Sequence, residues 1–427
     1  MSQGLETAFA MDAASIKFGF GVTAELGFEM KRLGVKRAMV LTDQSLLETT
    51  AVKRSLESLR DDGIEFVVYA DVSVEPTDAS FADAIRFAEQ GNFDGFVAVG
   101  GGSVMDTAKV ANLYDSHPAD FLEYVNAPIG KGTPVPGALK PLIAVPTTAG
   151  TGSETSGVAI FDMKEIHAKT GIANRALKPH MGLVDPENTR SMPRNVAAFS
   201  GFDVLCHGLE SYTALPYTKR EAAIDPAHRP AYQGANPMSD VWAAKAIEIV
   251  SANIRRAVND PEDDEARANM CLAATAAGVG FGTAGVHLPH GMSYPVAGNA
   301  REFQPAGYPE EHPIIPHGLS VILNAPAVFR YTAVANPARH LKAARLMGAE
   351  IEGVDDEEAG ELLAEQIVRL LQDLEMPNGL SGVGYSESDI DAFVAGTLPQ
   401  HRVTKLAPRP TGAAELRMLF EESMRLW

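Results

Sequence analysis

The apolar positions of this chain fall into two patterns, short strand-like runs in the first half and helical spacing in the second. From Arg37 to about Asp185, five runs stand out: AMVLTD (38–43), EFVVYAD (65–71), GFVAVGGG (95–102), PLIAVPTT (141–148) and MGLVDP (181–186). They are separated by helix-length segments. Unbroken apolar runs spaced this way predict parallel strands covered on both faces, because a strand with one wet face would alternate polar and apolar residues. Residues 1–190 are therefore expected to form a doubly wound α/β domain with a mostly parallel sheet. After Asp185-Pro186 the period changes, and NVAAFSGFDVLCHGLESYT, SDVWAAKAIEIVSANIRRAV and DEARANMCLAATAAGVGFG carry helical spacing with almost no alternation. Residues 191–427 are expected to be all-helical. Two Pro/Gly-rich stretches, 216–237 and 299–318, are long enough to be functional loops.

Composition narrows the function classes. A chain of 427 residues exceeds a single ordinary core, and 45% hydrophobic with 21% charged residues is the make-up of a packed enzyme. The net charge of −19 argues against nucleic-acid or anionic-membrane partners, so an anionic small-molecule substrate would need a local basic pocket. No apolar run approaches the roughly 20 residues of a membrane-spanning helix. The two cysteines, Cys206 and Cys271, are too few for a disulfide framework. The first residues, MSQGLETAFAMDAASIKFGFG, show no basic region leading into an apolar run. A cytoplasmic protein, assembled as a homo-oligomer (a dimer or larger), is the expectation.

Three strand ends carry ligand chemistry. Gly100-Gly101-Gly102-Ser103 leads from a buried strand into a helix, where free N–H groups and the helix dipole attract a phosphate. This is not the G-x-G-x-x-G fingerprint, and alone it reads equally as a tight turn. The run Thr147-Thr148-Ala149-Gly150-Thr151-Gly152 adds hydroxyls at the carboxyl edge where open α/β sheets bind ligands. Asp43 ends a third strand, placed to accept from a ribose and disfavour a 2′-phosphate, or else to cap the helix that follows.

The second half carries metal chemistry. Asp203 and His207 are spaced i, i+4 and share one helix face. Alone the pair is ordinary. It gains meaning beside His287, His290 and His317, which sit in glycine-flanked, apolar surroundings where unpartnered imidazoles are costly. Three histidines and one aspartate suit Fe²⁺ or Zn²⁺ with an open position for substrate.

Taken together, GGGSVMDTAK, PTTAGTGSE, the DP at 185–186, GFDVLCHGLESY and PHG resemble the iron-containing alcohol dehydrogenase family across nearly the whole chain. VEPTDASF, NAPIGKG, RPAYQGANPMSD, GVHLPHGMSYP and LPQHRVTKLAP are most similar to its hydroxyacid-oxoacid transhydrogenase branch. The resemblance implies a dinucleotide-binding domain, a helical domain and a catalytic metal between them. It makes Asp203, His207, His290 and His317 the metal ligands, and Asp43, Gly101, Gly102, Ser103, Asp106, Thr147, Thr148, Thr151 and Lys169 the surroundings of NAD. Where the family has a second histidine after H-G-M-A, this chain has Tyr294, so either Tyr294 or His287 is expected to serve the proton step, or it runs through water and the ribose.

The reaction implied by the branch passes a hydride from 4-hydroxybutyrate to 2-oxoglutarate through bound NAD, giving succinate semialdehyde and 2-hydroxyglutarate. Carboxylate substrates call for a basic clamp, for which Arg301, Arg402 and Lys405 are the candidates. The rivals are an ordinary NAD-dependent dehydrogenase of 4-hydroxybutyrate or a small primary alcohol, and a metal- and NAD-dependent lyase or cyclase of the dehydroquinate-synthase type. The last would need a richer Lys/Arg cluster near the metal motif than this chain carries.

Overall fold

The computed structural model describes residues 4–166, 168–308 and 313–427. Two compact units result, Asp12–Met192 and Pro193–Trp427, the latter joined by the segment ending at Met11. The expected boundary at 190/191 thus falls two residues early, and the N-terminal segment belongs with the helical unit. The cause is backbone pairing: Glu6 N donates to Arg220 O at 2.8 Å and Ala222 N to Gly4 O at 2.9 Å.

In the first unit, strands β1 (Ser15–Phe18), β2 (Arg37–Leu41), β3 (Glu65–Tyr69), β4 (Gly95–Gly100), β5 (Leu142–Pro146) and β8 (Met181–Val184) form one sheet in the order β1-β8-β5-β4-β2-β3. Every pairing in it is parallel. Helices α1 (Leu26–Arg32), α2 (Thr50–Asp61), α3 (Asp78–Gly91) and α4 (Gly102–Ser116) cover it. Val40, Val97, Val99, Ile143 and Val145 pack with Leu26 and Met30 of α1 and Val52 and Leu59 of α2. Their sequence neighbours Met39, Leu41, Phe96, Ala98 and Ala144 point the other way, against Ala84 of α3 and Val104 and Ala108 of α4. Both faces are dry, which is why these strands read as unbroken apolar runs.

Each of the five expected runs overlaps one of these strands, β2 beginning one residue before its run. The short β1, with its half-exposed pattern, was not expected, and neither was the antiparallel hairpin of β6 (Val158–Met163) and β7 (Ala168–Ala173). From β2 the chain steps out to β3 and then returns across to β4. The order therefore reverses between β2 and β4, and the loops after β2, β4 and β5 gather at the carboxyl edge where such a reversal opens a crevice.

The second unit is helical. It includes α5 (Arg194–Thr213), α6 (Pro237–Asn259), α7 (Asp264–Ala284), α8 (Leu288–Gly298) and α9 (His317–Ile322). Starts are set by local chemistry: Asn236 accepts from the N–H groups of Met238 and Ser239 ahead of Pro237, and Asp263 accepts from Ala266 N. Helix α5 is buried on nearly all sides and has no single apolar stripe. No single helix among the described residues is long and apolar enough to cross a membrane.

Candidate functional site

Asp203 and His207 stand one turn apart on α5, and Glu210 follows on the same face at i+7. Asp203 Oδ1 is buried with no hydrogen-bond partner, as is His290 Nε2. Around that oxygen lie His290 Nε2 at 3.5 Å, His207 Nε2 at 3.7 Å and His317 Nε2 at 3.8 Å. Ligand atoms about 2.1 Å from a tetrahedral ion sit about 3.4 Å apart, so these separations fit a shared cation. Asp203, His207 and His290 offer ligand atoms within 4.8 Å of one another. His317, whose side chain is 28% exposed, supplies the open flank.

Two glycines make the convergence sterically possible. A Cβ on Gly318 would lie 2.0 Å from the Phe199 carbonyl oxygen, so only glycine lets α9 bring His317 against α5. A Cβ on Gly291 would meet Thr404 Cγ2 at 2.9 Å, so glycine after His290 admits the short helix His401–Thr404.

Electrostatics point the same way. Burial opposes ionisation of Asp203, yet His207 and His317 beside it hold the carboxyl well below its usual range. Burial also opposes charge on His290, but Glu210 and Asp203 push it up to about 10. Burial drives His207 down to about 4. The pocket's two carboxylates therefore demand a positive charge, which a divalent ion supplies better than one proton.

Glu210 is the residue sequence reasoning missed. Its Oε1 accepts from His290 Nδ1 at 2.6 Å, the carboxylate–histidine arrangement that fixes a ligand's tautomer and presents Nε2 to a metal. The signal was present as a third acidic or imidazole position on the Asp203 face of α5.

His287, expected as a proton-relay group, is corrected. It is fully buried, its backbone N–H donates to Glu210 Oε2 at 2.6 Å, its ring Nε2 lies 3.0 Å from Thr213 Oγ1, and burial holds the imidazole down to about 4. It supports Glu210 from within the core. Tyr294 stacks on His317 at 6.5 Å between ring centres, and its hydroxyl accepts from Arg402 Nη2 at 3.1 Å.

Of the three clamp candidates, two are corrected. Arg301 pairs with Asp389 at 2.6 Å and its side chain is 61% exposed, and Lys405 is exposed. Arg402 alone lies beside the ligand cluster.

In the α/β unit, Gly101 and Gly102 open α4 with no side-chain cap, leaving the helix N-terminus to other partners. A Cβ on Gly102 would lie 2.6 Å from Thr151 Cγ2, and one on Gly101 would touch Thr148 at 3.4 Å. Thr147 N donates to Gly100 O at 3.1 Å. The loops after β4 and β5 are thus packed together. Asp43 does cap, its Oδ1 accepting from Ser45 N at 2.9 Å, so any ribose contact falls to Oδ2.

Three further residues expected around NAD are engaged within the protein. Asp106 has both oxygens engaged, by Ser153 Oγ at 2.7 Å and Ile160 N at 2.9 Å, and so positions α4 against the hairpin. Ser103 Oγ accepts from Glu75 N at 3.2 Å. Lys169 is buried between Glu75 at 2.6 Å and Asp162 at 3.0 Å. Burial works against its charge, but those carboxylates hold it above the ordinary lysine range. Lys169 ties β7 to the segment before α3.

Residues 13–186 match the family model described as iron-containing alcohol dehydrogenase, and residues 231–424 that of the Fe-containing alcohol dehydrogenase family, C-terminal. A mitochondrial hydroxyacid-oxoacid transhydrogenase of Xenopus tropicalis is 56% identical over 424 residues, covering 99% of this chain and 92% of the relative. The Homo sapiens protein of that name is 54% identical over 98% of this chain and 90% of its own length. Among solved structures, an alcohol dehydrogenase from Oenococcus oeni superposes with a TM-score of 0.85 at 26% identity, over 97% of this chain and 100% of that one. The cytoplasmic expectation is overturned here, since these transhydrogenase relatives are named mitochondrial. Cys206 and Cys271 are buried and form no disulfide.

Proposed function

This chain belongs to the iron-containing alcohol dehydrogenase family, and on that premise we propose that it is a hydroxyacid-oxoacid transhydrogenase. A hydride leaves C4 of 4-hydroxybutyrate, giving succinate semialdehyde, and is delivered to C2 of 2-oxoglutarate, giving 2-hydroxyglutarate. One proton leaves the first hydroxyl and one is taken up by the second, so the exchange balances without net oxidant. The observation that carries the reading is the buried Asp203–His207–His290 trio with its orphaned Asp203 Oδ1, in a chain alike over nearly its full length to transhydrogenases.

When bound, a divalent ion, Fe²⁺ by the family's description, supplies Lewis-acid stabilisation of the substrate oxygen, while NAD carries the hydride between half-reactions. Asp203, His207, His290 and His317 would hold the ion. Glu210 fixes His290 so that Nε2 keeps its lone pair. The paired loops at Gly101–Gly102 and Thr147–Thr151 would take the pyrophosphate, with Asp43 at the ribose. Tyr294 stands where the family's second histidine does. Its oxygen accepts from Arg402, which leaves its own proton available to a substrate oxygen.

The test uses purified protein, 4-hydroxybutyrate deuterated at C4 and 2-oxoglutarate, with no NAD added. Deuterium in 2-hydroxyglutarate, formed one-for-one with succinate semialdehyde, is the expected outcome. Turnover that begins only on adding NAD, with NADH building up in solution, would instead make the protein a plain dehydrogenase.

A further inference from the structure

We infer that the guanidinium of Arg402 binds the carboxylate that both substrates carry three bonds from the reacting carbon, and so selects these acids over alcohols and oxoacids that lack a carboxylate at that position. The inference deepens the proposed reaction and rests on it.

A buried cation without a counter-charge is expensive. Surface-side arginines here find carboxylates, as Arg339 does with Asp240 at 2.5 Å and Arg330 with Glu361 at 2.5 Å. Arg402 has no acidic partner among the described residues. Its contacts are the Tyr294 hydroxyl at 3.1 Å and the face of Tyr232 at 5.1 Å, and its Nη1 is buried with no hydrogen-bond partner. Half of a planar donor fork is therefore left over in a desolvated place. A carboxylate is the ligand that fills such a fork with parallel hydrogen bonds and supplies the missing charge. In a chain of net charge −19, this is also the local basic pocket an acidic substrate requires.

The position is fixed from two sides. Tyr294, which holds one end of the guanidinium, stacks on His317 with an angle of 15° between rings. Tyr232, under the other side, packs edge-on to Phe281 at 6.4 Å, and Phe281 stacks on His207 at 4.1 Å. Two aromatic bridges thus set the fork at a constant offset from two of the four ligand residues.

A constant offset matches the substrates. In 4-hydroxybutyrate the hydroxyl-bearing C4 is three bonds from the carboxylate carbon C1. In 2-oxoglutarate the keto carbon C2 is likewise three bonds from the distal carboxylate carbon C5. One anchor and one reaction centre can therefore hold both molecules in the same register, as an exchange at a single site requires. The second carboxylate of 2-oxoglutarate, next to the ketone, lies at the reacting end and is not the group assigned to Arg402.

The experiment compares 2-oxoglutarate with 2-oxopentanoate, which has a methyl group in place of the distal carboxylate, by calorimetric titration of the metal-loaded, NAD-bearing full chain. Wild type is expected to prefer 2-oxoglutarate. Arg402→Gln should weaken 2-oxoglutarate about 10- to 100-fold and leave 2-oxopentanoate within about twofold, with melting temperature and metal content unchanged. Arg402→Lys, which keeps the charge but loses the fork, should fall between, and it decides the matter if the glutamine variant does not fold. Equal weakening of both ligands, or undiminished 2-oxoglutarate binding in both variants, overturns the inference. If wild type moves no deuterium yet loses its preference on Arg402→Gln, the proposed reaction is wrong and the anchor stands. If wild type binds neither acid, both fall.

Discussion

Glu210 Oε1 lies 2.6 Å from His290 Nδ1, at the base of a set of ligands that it does not itself join. Its other oxygen accepts from the His287 N–H, so one carboxylate aligns both the ligand and the start of the helix that carries it. Glu210→Gln keeps the shape and removes the charge. Metal affinity, measured by competition with a chromophoric chelator, should fall about 10- to 100-fold. An unchanged affinity would mean that His290 is oriented by packing alone.

Gly318→Ala addresses the same centre through sterics. The added methyl would sit 2.0 Å from the Phe199 carbonyl oxygen and 3.0 Å from Asp203 Cβ, and α9 must move away. We expect destabilisation of about 1–3 kcal/mol in urea unfolding, together with loss of bound metal, because His317 moves with the helix. Retention of full metal content at lowered stability would separate α9 placement from ligation.

In the α/β unit, Gly102→Ala puts a methyl 2.6 Å from Thr151 Cγ2. If the two loops form the pyrophosphate cradle, NAD affinity should drop about tenfold, and Gly102→Ala with Thr151→Ser should recover most of it by removing the opposing methyl. Fluorescence titration with NADH reads both. No loss in the single variant would rule these loops out as the cradle.

His340 offers a pH test away from the ligands. It is fully buried, with Nδ1 at 2.9 Å from Asn336 O and Nε2 at 3.0 Å from Thr332 Oγ1, and burial lowers it to about 4. The unfolded chain takes up this proton near pH 6.5, while the native state refuses it until about pH 4. Its contribution is therefore full above pH 6.5 and is lost as pH falls through that window. His340→Gln should unfold with a shallower decline in stability between pH 6.5 and 4 than wild type. Parallel declines would place the proton uptake elsewhere.

Much of this protein was legible in one dimension. The four central strands, β8, β5, β4 and β2, are buried on both faces and so apolar nearly throughout; together with the partly exposed edge strand β3 they announce themselves as runs, and the change to helical spacing after Asp185 marks where the sheet ends. The i, i+4 pair Asp203 and His207 was readable because a helix converts spacing into a shared face. The edge strand β1, four residues long and half exposed, and the antiparallel β6–β7 hairpin, which lies outside the parallel sheet, were not.

What the tertiary structure alone decided is which residues meet. His287 and His290 look alike in sequence, but one helical turn separates a core imidazole from one whose Nε2 reaches Asp203. Arg301, Arg402 and Lys405 were equal candidates until burial removed two, leaving the guanidinium between Tyr294 and Tyr232. Asp106 and Lys169 were read from the resemblance as cofactor neighbours, but only the structure shows Asp106 hydrogen-bonded to Ser153 and Ile160 with Lys109 at 3.5 Å, and Lys169 paired with Glu75 and Asp162. Spacing along the chain fixes only local neighbours. Partners distant in sequence depend on how closely helices approach, and here Gly291 and Gly318 set that approach, in a dimension the linear pattern does not contain.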